Sequence, residues 1–265
     1  MEKDCVRLFG SGKIIHDRYI IKRKIGDGGM SNIYLAYDTV QNSNVALKCS
    51  RSFRIPLAKE YHMMKSLNCT GVPGVFDLFE YEGALVMPLE YIDGGTLGEV
   101  VENVRTAEKA DGYIEPLRVM IDVCMTADYL HREKGILYLD YKPSNIIAGS
   151  KGTYLIDFGA AADLKDVNNR GSIGIYGTKK YAAPEQKTAG RALTVRTDIY
   201  QIGALTQYII KKCNVRDRTV RGIAKRCMER KMPARYASAK EVAALLAGCI
   251  KYDAQIFVKT CKPVL

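Results

Sequence analysis

Asp140-Tyr141-Lys142-Pro143-Ser144-Asn145 puts a carboxylate, an ammonium and an amide on one short loop. Apolar pairs, Ile136-Leu137 before it and Ile146-Ile147 after it, frame that loop. Further on, Leu155-Ile156-Asp157-Phe158-Gly159 reads as a strand that ends in a second carboxylate. Every other feature of the chain is read outward from these two runs.

Upstream, Tyr19-Ile20-Ile21 leads to Ile25, then to the turn Gly26-Asp27-Gly28-Gly29-Met30-Ser31, then to Ile33-Tyr34-Leu35-Ala36-Tyr37. Strands on both sides of glycines let backbone N–H groups come close to phosphates, and the absence of Gly-Lys-Ser/Thr excludes a P-loop. A turn at Gln41-Asn42-Ser43-Asn44 precedes Val45-Ala46-Leu47-Lys48. These runs predict antiparallel hairpins. Lys48 ends an apolar strand and needs an anion there. Glu60 supplies one from the helix predicted over 57–67, whose apolar residues 57, 61, 64 and 67 fall at helical spacing. Strands are predicted over 75–81 and 84–89. Gly94-Gly95 interrupts the pattern and reads as a hinge between lobes, after which the pattern turns helical over 116–133, 194–210, 220–230 and 238–249, the last opened by a Ser238/Glu241 capping box.

As chemistry, Asp140 is placed to orient a hydroxyl and take its proton, and Lys142 to neutralise a phosphoryl group in transfer. Asn145 and Asp157 offer oxygen atoms to Mg²⁺. In this order and spacing, from about Tyr19 to Leu246, the elements resemble the protein kinase family. Gly28-Gly29-Met30-Ser31 and Tyr91-Ile92-Asp93-Gly94-Gly95-Thr96-Leu97 are similar to the bacterial, eukaryotic-like serine/threonine kinases.

That resemblance implies an α+β, bilobal fold. A small antiparallel sheet lobe carrying helix C (about 1–91) would precede a larger, mainly helical lobe (about 92–265), within one kinase domain. It implies ATP with Mg²⁺ or Mn²⁺, and protein substrates. Ile25 would contact the nucleotide, and Gly26, Gly28, Gly29 and Ser31 would cover the phosphates. Ile33, Ala46 and Ile147 would enclose the purine, Leu89 would be the gatekeeper, and Glu90 to Ile92 the hinge. Ala183-Pro184-Glu185 would close the activation segment, with Arg235 as the buried partner of Glu185. Asp198 would anchor the catalytic loop. Lys142 with Thr178 is similar to the serine/threonine pattern.

Three departures stand out. The usual His-Arg-Asp reads Tyr138-Leu139-Asp140, so the arginine that receives an activation-loop phosphate is missing. Activity is therefore expected not to depend on such a phosphate, although Ser172 and Thr178 are candidate autophosphorylation sites. Only positions 49–59 separate Lys48 from Glu60, so the link to helix C is trimmed and the pair has less freedom to swing out. Residues 212–218 are too few for a normal helix G, which is expected to be reduced or missing. Two other readings are open: a nucleotide-binding pseudokinase or scaffold, and a kinase of small molecules, against which the Ala-Pro-Glu closure and the Lys-Pro-Ser-Asn run both speak.

Composition is that of a globular chain of 265 residues, 47% apolar and 26% charged, with net charge +11. Residues 211–235 hold ten Lys/Arg against Asp217 and Glu229, which marks either a solvated helical face or a surface for an acidic partner or nucleic acid. Eight cysteines show no close CxxC pair, so reduced thiols are expected rather than zinc. The N-terminus lacks the apolar core of a signal peptide, and no run approaches the roughly 18 apolar residues of a membrane span. A cytoplasmic location is expected. The membrane helix and extracellular sensor repeats of many such bacterial kinases are not found, so an input signal is expected to reach the kinase domain directly or through a separate protein.

Overall fold

Alternation of apolar residues along Tyr19–Asp27 and Asn32–Asp38 is the pattern of strands with one face in a core. In the computed structural model these are β2 and β3 of an antiparallel sheet. The structure describes residues 9–27, 31–107, 111–170 (backbone only at 168–170), 177–188 and 190–250. Gly28, Gly29, Ser172 and the tail beyond 250 lie outside the described residues.

Two compact units are present. Residues up to 67 together with 73–92 form the first, and 68–72 with the residues from 93 onward form the second. In the first, β1 (Ile14–Ile15), β2, β3, β4 (Ser43–Ser50), β6 (Ala84–Glu90) and β5 (Phe79–Tyr81) lie side by side in that order. Tyr34, Ala36, Val45, Leu47, Cys49 and Val86 share one face and pack with Phe9, Ile15, Tyr19 and Ile21. Fully burying each large side chain of this set contributes about 1.5–3 kcal/mol. The first helix, α1 (Arg54–Lys65), follows β4 after residues 51–53 alone, in line with the trimmed link, and Phe53 N–H donates to Ser50 Oγ at 3.0 Å within it.

The strand expected over 75–81 is regular only at 79–81. Asp77 Oδ1 accepts the Leu78 N–H at 2.7 Å, so its side chain takes a donor that a strand ladder would need.

The second unit is mainly helical: α2 (Leu97–Thr106), α3 (Ile114–Tyr129), α4 (Leu164–Arg170), α5 (Val195–Lys212), α6 (Arg218–Cys227) and α7 (Ala239–Ile250). Its small sheets are β7 (Gly94–Thr96) with β9 (Ile146–Gly149) and β10 (Gly152–Leu155), and β8 (Ile136–Leu137) with β11 (Ala162–Asp163). Helix α3 is apolar nearly all round and packs against α5 and α7. It ends in a π-type turn over Leu130–Lys134, stopped by Gly135 in the left-handed region.

The Gly94-Gly95 pair, expected between the lobes, directly follows the division of the two units at 92/93 and is part of β7. A Cβ on Gly94 would lie 2.3 Å from the Ala148 carbonyl oxygen, so glycine is what lets β7 approach β9. Thr96 and Glu99 form a capping box on α2. Hydrogen bonds from Thr96 N–H (2.6 Å) and Oγ1 (2.9 Å) hold the Glu99 carboxyl below its usual range. At the box predicted from sequence, Ser238 Oγ accepts the Glu241 N–H, but the Glu241 carboxylate turns to the Ala237 N–H instead. Between α5 and α6 the chain makes only the connection 213–217, with Asp217 capping α6. No helix G is present there.

Candidate active site

Within the first unit, β-pairing aligns Ile33 with Lys48, Leu35 with Ala46, Lys48 with Met87 and Ala46 with Leu89. Partners opposite one another, and residues two apart, share a face. Ile33, Leu35, Ala46, Lys48, Met87 and Leu89 therefore line the side of the sheet opposite its apolar core. Lys48 is 5% exposed, more deeply buried than a half-buried strand end, and so is Glu60. Lys48 Nζ donates to both Glu60 oxygens at 2.7 Å, from β4 to α1. A buried ammonium needs this partner, since its desolvation is offset only by close, well-aligned contacts. Gly26 pairs with Ile33 at the end of β2, and the Ile33 side chain lies over it. Ile25, Ser31 and Glu90 are half-buried and Ile92 is buried.

In the second unit the loop between β8 and β9 carries Asp140, which is 7% exposed. Asp140 Oδ2 accepts from Lys142 Nζ (2.8 Å) and Asn145 Nδ2 (3.0 Å). Its Oδ1 accepts from the Thr178 N–H and Oγ1, both at 2.8 Å. One carboxylate thus has both oxygens aimed by donors, and a hydroxyl stands against Oδ1. Asn145 Nδ2 also donates to the Asp140 carbonyl at 3.2 Å, which turns its amide oxygen away from Asp140. Ile156 N–H donates to the Asn145 carbonyl at 2.9 Å, fixing Asn145 to the strand that delivers Asp157. An amide oxygen and a carboxylate suit a hard divalent cation that keeps other oxygen ligands from water and phosphate. Asp157 adopts φ 67°, with Oδ1 accepting the Gly159 N–H at 3.3 Å. Ile147, on β9, is half-buried.

Asp198, fully buried on α5, holds this loop from beneath. Its oxygens accept the N–H groups of Tyr138 (2.9 Å) and Leu139 (3.0 Å), and His131 Nε2–H donates to it at 2.8 Å. One helical turn on, Gln201 Oε1 accepts the Tyr141 N–H at 2.8 Å. The reading of the sequence missed Gln201 and Gln186; the i, i+3 spacing of Asp198 and Gln201 was the one available signal. Tyr138 does keep an aromatic contact, its ring edge-on to Phe158 with centroids 5.1 Å apart. Its hydroxyl donates to the Ile156 carbonyl.

Leu139, in place of the arginine, is fully buried in an apolar cluster with Leu137, Val167 and Leu193. Arg235 donates to both oxygens of Glu185, at 2.6 and 3.0 Å, and is 2% exposed. It therefore does not belong to the basic surface, to which charge counting assigned it. The other nine cations of 211–235 are exposed, and Lys211, Lys212, Arg216, Arg218, Arg221, Lys225, Arg230 and Lys231 make no close ion pair among the described residues. Arg226 lies over the Tyr236 ring at 4.2 Å. Among the described residues no helix is long and apolar enough to cross a membrane.

The chain is 34% identical over 203 residues to the probable serine/threonine-protein kinase PknB of Lactococcus lactis, an alignment covering 73% of this chain and 31% of that protein. It is 32% identical over 213 residues to the serine/threonine-protein kinase PknB of Mycolicibacterium smegmatis, covering 74% and 33%. For the serine/threonine-protein kinase PrkC of Bacillus subtilis the figures are 32% over 203 residues, 72% and 30%. The chain thus spans about a third of the length of these curated relatives. The family model described as protein kinase domain matches residues 19–256, and the chain belongs to the protein kinase family.

Proposed function

We propose that both units act as one catalytic domain that transfers the γ-phosphate of ATP to serine or threonine hydroxyls of proteins. The observation that carries this is Asp140, whose two oxygens are aimed by Lys142, Asn145 and Thr178. Asp140 takes the proton of the substrate hydroxyl as its oxygen bonds to the γ-phosphorus and the bond to the β-phosphate oxygen breaks. Lys142 balances charge on the transferring group. Lys48, oriented by Glu60, holds the phosphates, together with Gly26, Gly28, Gly29 and Ser31. Ile25, Ile33, Ala46, Leu89, Glu90, Ile92 and Ile147 form the adenine environment. Asn145 and Asp157 hold Mg²⁺ or Mn²⁺, which supplies charge neutralisation of the phosphates when bound. The test is incubation of the purified protein with γ-labelled Mg-ATP and a generic basic protein, beside Lys48→Met and Asp140→Asn. Label in the wild type alone is the expected result. Thermal stabilisation by nucleotide with no label in any of them would favour the pseudokinase reading.

We propose further that activity does not require an activation-loop phosphate. Supporting this, the position of the phosphate-receiving arginine is Leu139, which offers no charge and lies inside an apolar cluster. Phosphatase treatment is expected to leave the rate within about twofold, and a loss greater than about tenfold would sink the idea.

The exposed cations of α6 and its flanks support a third reading, that this face docks an acidic segment of a protein partner or substrate in place of helix G. Reversing charge at Arg216, Arg218 and Arg221 is expected to raise KM for an acidic protein substrate about tenfold and to spare a basic one. An unchanged KM, or loss of binding to nucleic acid alone, would remove it.

A further inference from the structure

Two buried glutamines meet on one carbonyl of the catalytic loop. Gln201 on α5 is 1% exposed and Gln186, just after the Ala183-Pro184-Glu185 closure, is 2% exposed. Gln201 Nε2 donates to the Leu139 carbonyl at 2.8 Å, and Gln186 Nε2 donates to the same oxygen at 3.1 Å. Gln201 Nε2 also donates to Gln186 Oε1 at 2.5 Å, while Gln186 Oε1 accepts the Ala183 N–H at 2.8 Å. Gln201 Oε1 takes the Tyr141 N–H.

The amide orientations follow from the backbone. Tyr141 N–H and Ala183 N–H are only donors, so each must meet an amide oxygen. The Leu139 carbonyl is only an acceptor, so it must meet both NH₂ groups. The ring is closed: both lone pairs of the Leu139 oxygen and both hydrogens of Gln201 Nε2 are used. Leu139 itself adopts φ 64°, uncommon for a leucine. Its N–H is held by Asp198 and its C=O by the two glutamines; with the Tyr141 N–H held by Gln201, both peptide groups that flank Asp140 are fixed. Gly177 closes the third side. A Cβ there would lie 2.2 Å from the Leu139 oxygen, and its φ of +79° favours glycine.

We propose that Gln201 is a positioning residue for Asp140, and that the Gln201–Gln186 pair is a neutral relay docking the end of the activation segment on the catalytic loop. This rests on the kinase reading above. A phosphate on a charged receiver performs that docking only while the modification lasts; two buried amides perform it constitutively. The relay therefore couples residues 183–187 to 139–141 with no titratable group and no modification.

Gln201→Met keeps the volume and removes the hydrogen bonds. It is expected to lower kcat about tenfold with KM for ATP unchanged, because a sub-ångström shift of a base is felt in turnover and not in nucleotide affinity. Amide hydrogen exchange is the second readout and needs no turnover, so it decides the relay even if the wild type transfers no phosphate. Gln201→Met is expected to speed exchange at the Tyr141 N–H and, through Gln186, at the Ala183 N–H. Gln186→Met is expected to do the same at Ala183 and to add little to Gln201→Met in the double variant. Should Gln201→Met fail to fold, Gln186→Met carries the test by the same two readouts. Wild-type kcat in the folded variant, or faster exchange at Tyr141 with Ala183 unmoved, overturns the proposal.

Discussion

Asp140→Asn is expected to lower the rate of phosphate transfer roughly 1,000-fold, the scale on which a positioned general base contributes. The substitution is nearly isosteric, yet it is not electrically silent here. Oδ1 accepts from two groups of Thr178 and Oδ2 from Lys142 and Asn145. All four partners are donors. An asparagine presents an oxygen to one pair only and turns its own NH₂ toward the other, which loses two hydrogen bonds and sets donor against donor. Either the Thr178 contact or the Lys142/Asn145 contact must open. Asp140→Asn is thus expected to be no more active than Asp140→Ala, with nucleotide affinity near wild type in both. Steady-state kinetics on a basic protein, with nucleotide titration alongside, checks this. An asparagine variant within about tenfold of wild type would remove Asp140 from the role of base.

The residues proposed for the chemistry were legible because their signals are local. Lys48 ends an apolar run, and Glu60 follows after a short link on a predicted helix. Ile33, Ala46 and Leu89 were given by the likeness to the kinase family, and only the strand register puts them on one face with Lys48. The missing helix G is a matter of counting residues between two amphipathic runs. What was not legible is what only the fold brings together. Gln186 and Gln201 have no motif, and a glutamine in a helix normally faces solvent. Their meeting at Leu139 needs three segments far apart in sequence. A tally of cations along 211–235 carries no information on burial and so counted Arg235 with the surface, whereas the likeness to the kinase family gave it as the buried partner of Glu185. Gly94-Gly95 was legible as the point between the lobes, and the units divide at 92/93, but the reason for glycine at 94, the Ala148 carbonyl opposite, shows only in the fold.

Arg235→Met is expected to cost about 3–5 kcal/mol of stability, the scale for removing one partner of a buried ion pair. Glu185, 3% exposed, would keep its charge without a counter-ion. The guanidinium also donates to the carbonyls of Glu229 at 2.7 Å and Arg196 at 2.9 Å, and lies 4.8 Å from the centre of the Tyr200 ring. It therefore joins the activation-segment closure, the start of α5 and the loop after α6 through a single side chain. A lysine cannot reproduce that fork, so Arg235→Lys is expected to recover less than half of the loss. Pairing Arg235→Met with Glu185→Gln removes the stranded charge and is expected to restore part of the stability, because a buried pair replaced as a unit is often near neutral. Recovery stays incomplete, since two backbone carbonyls still lack their donor. Urea denaturation of the four proteins resolves these terms. A loss below about 1 kcal/mol for Arg235→Met would mean that Glu185 finds water or another donor, and that this pair does not anchor the segment.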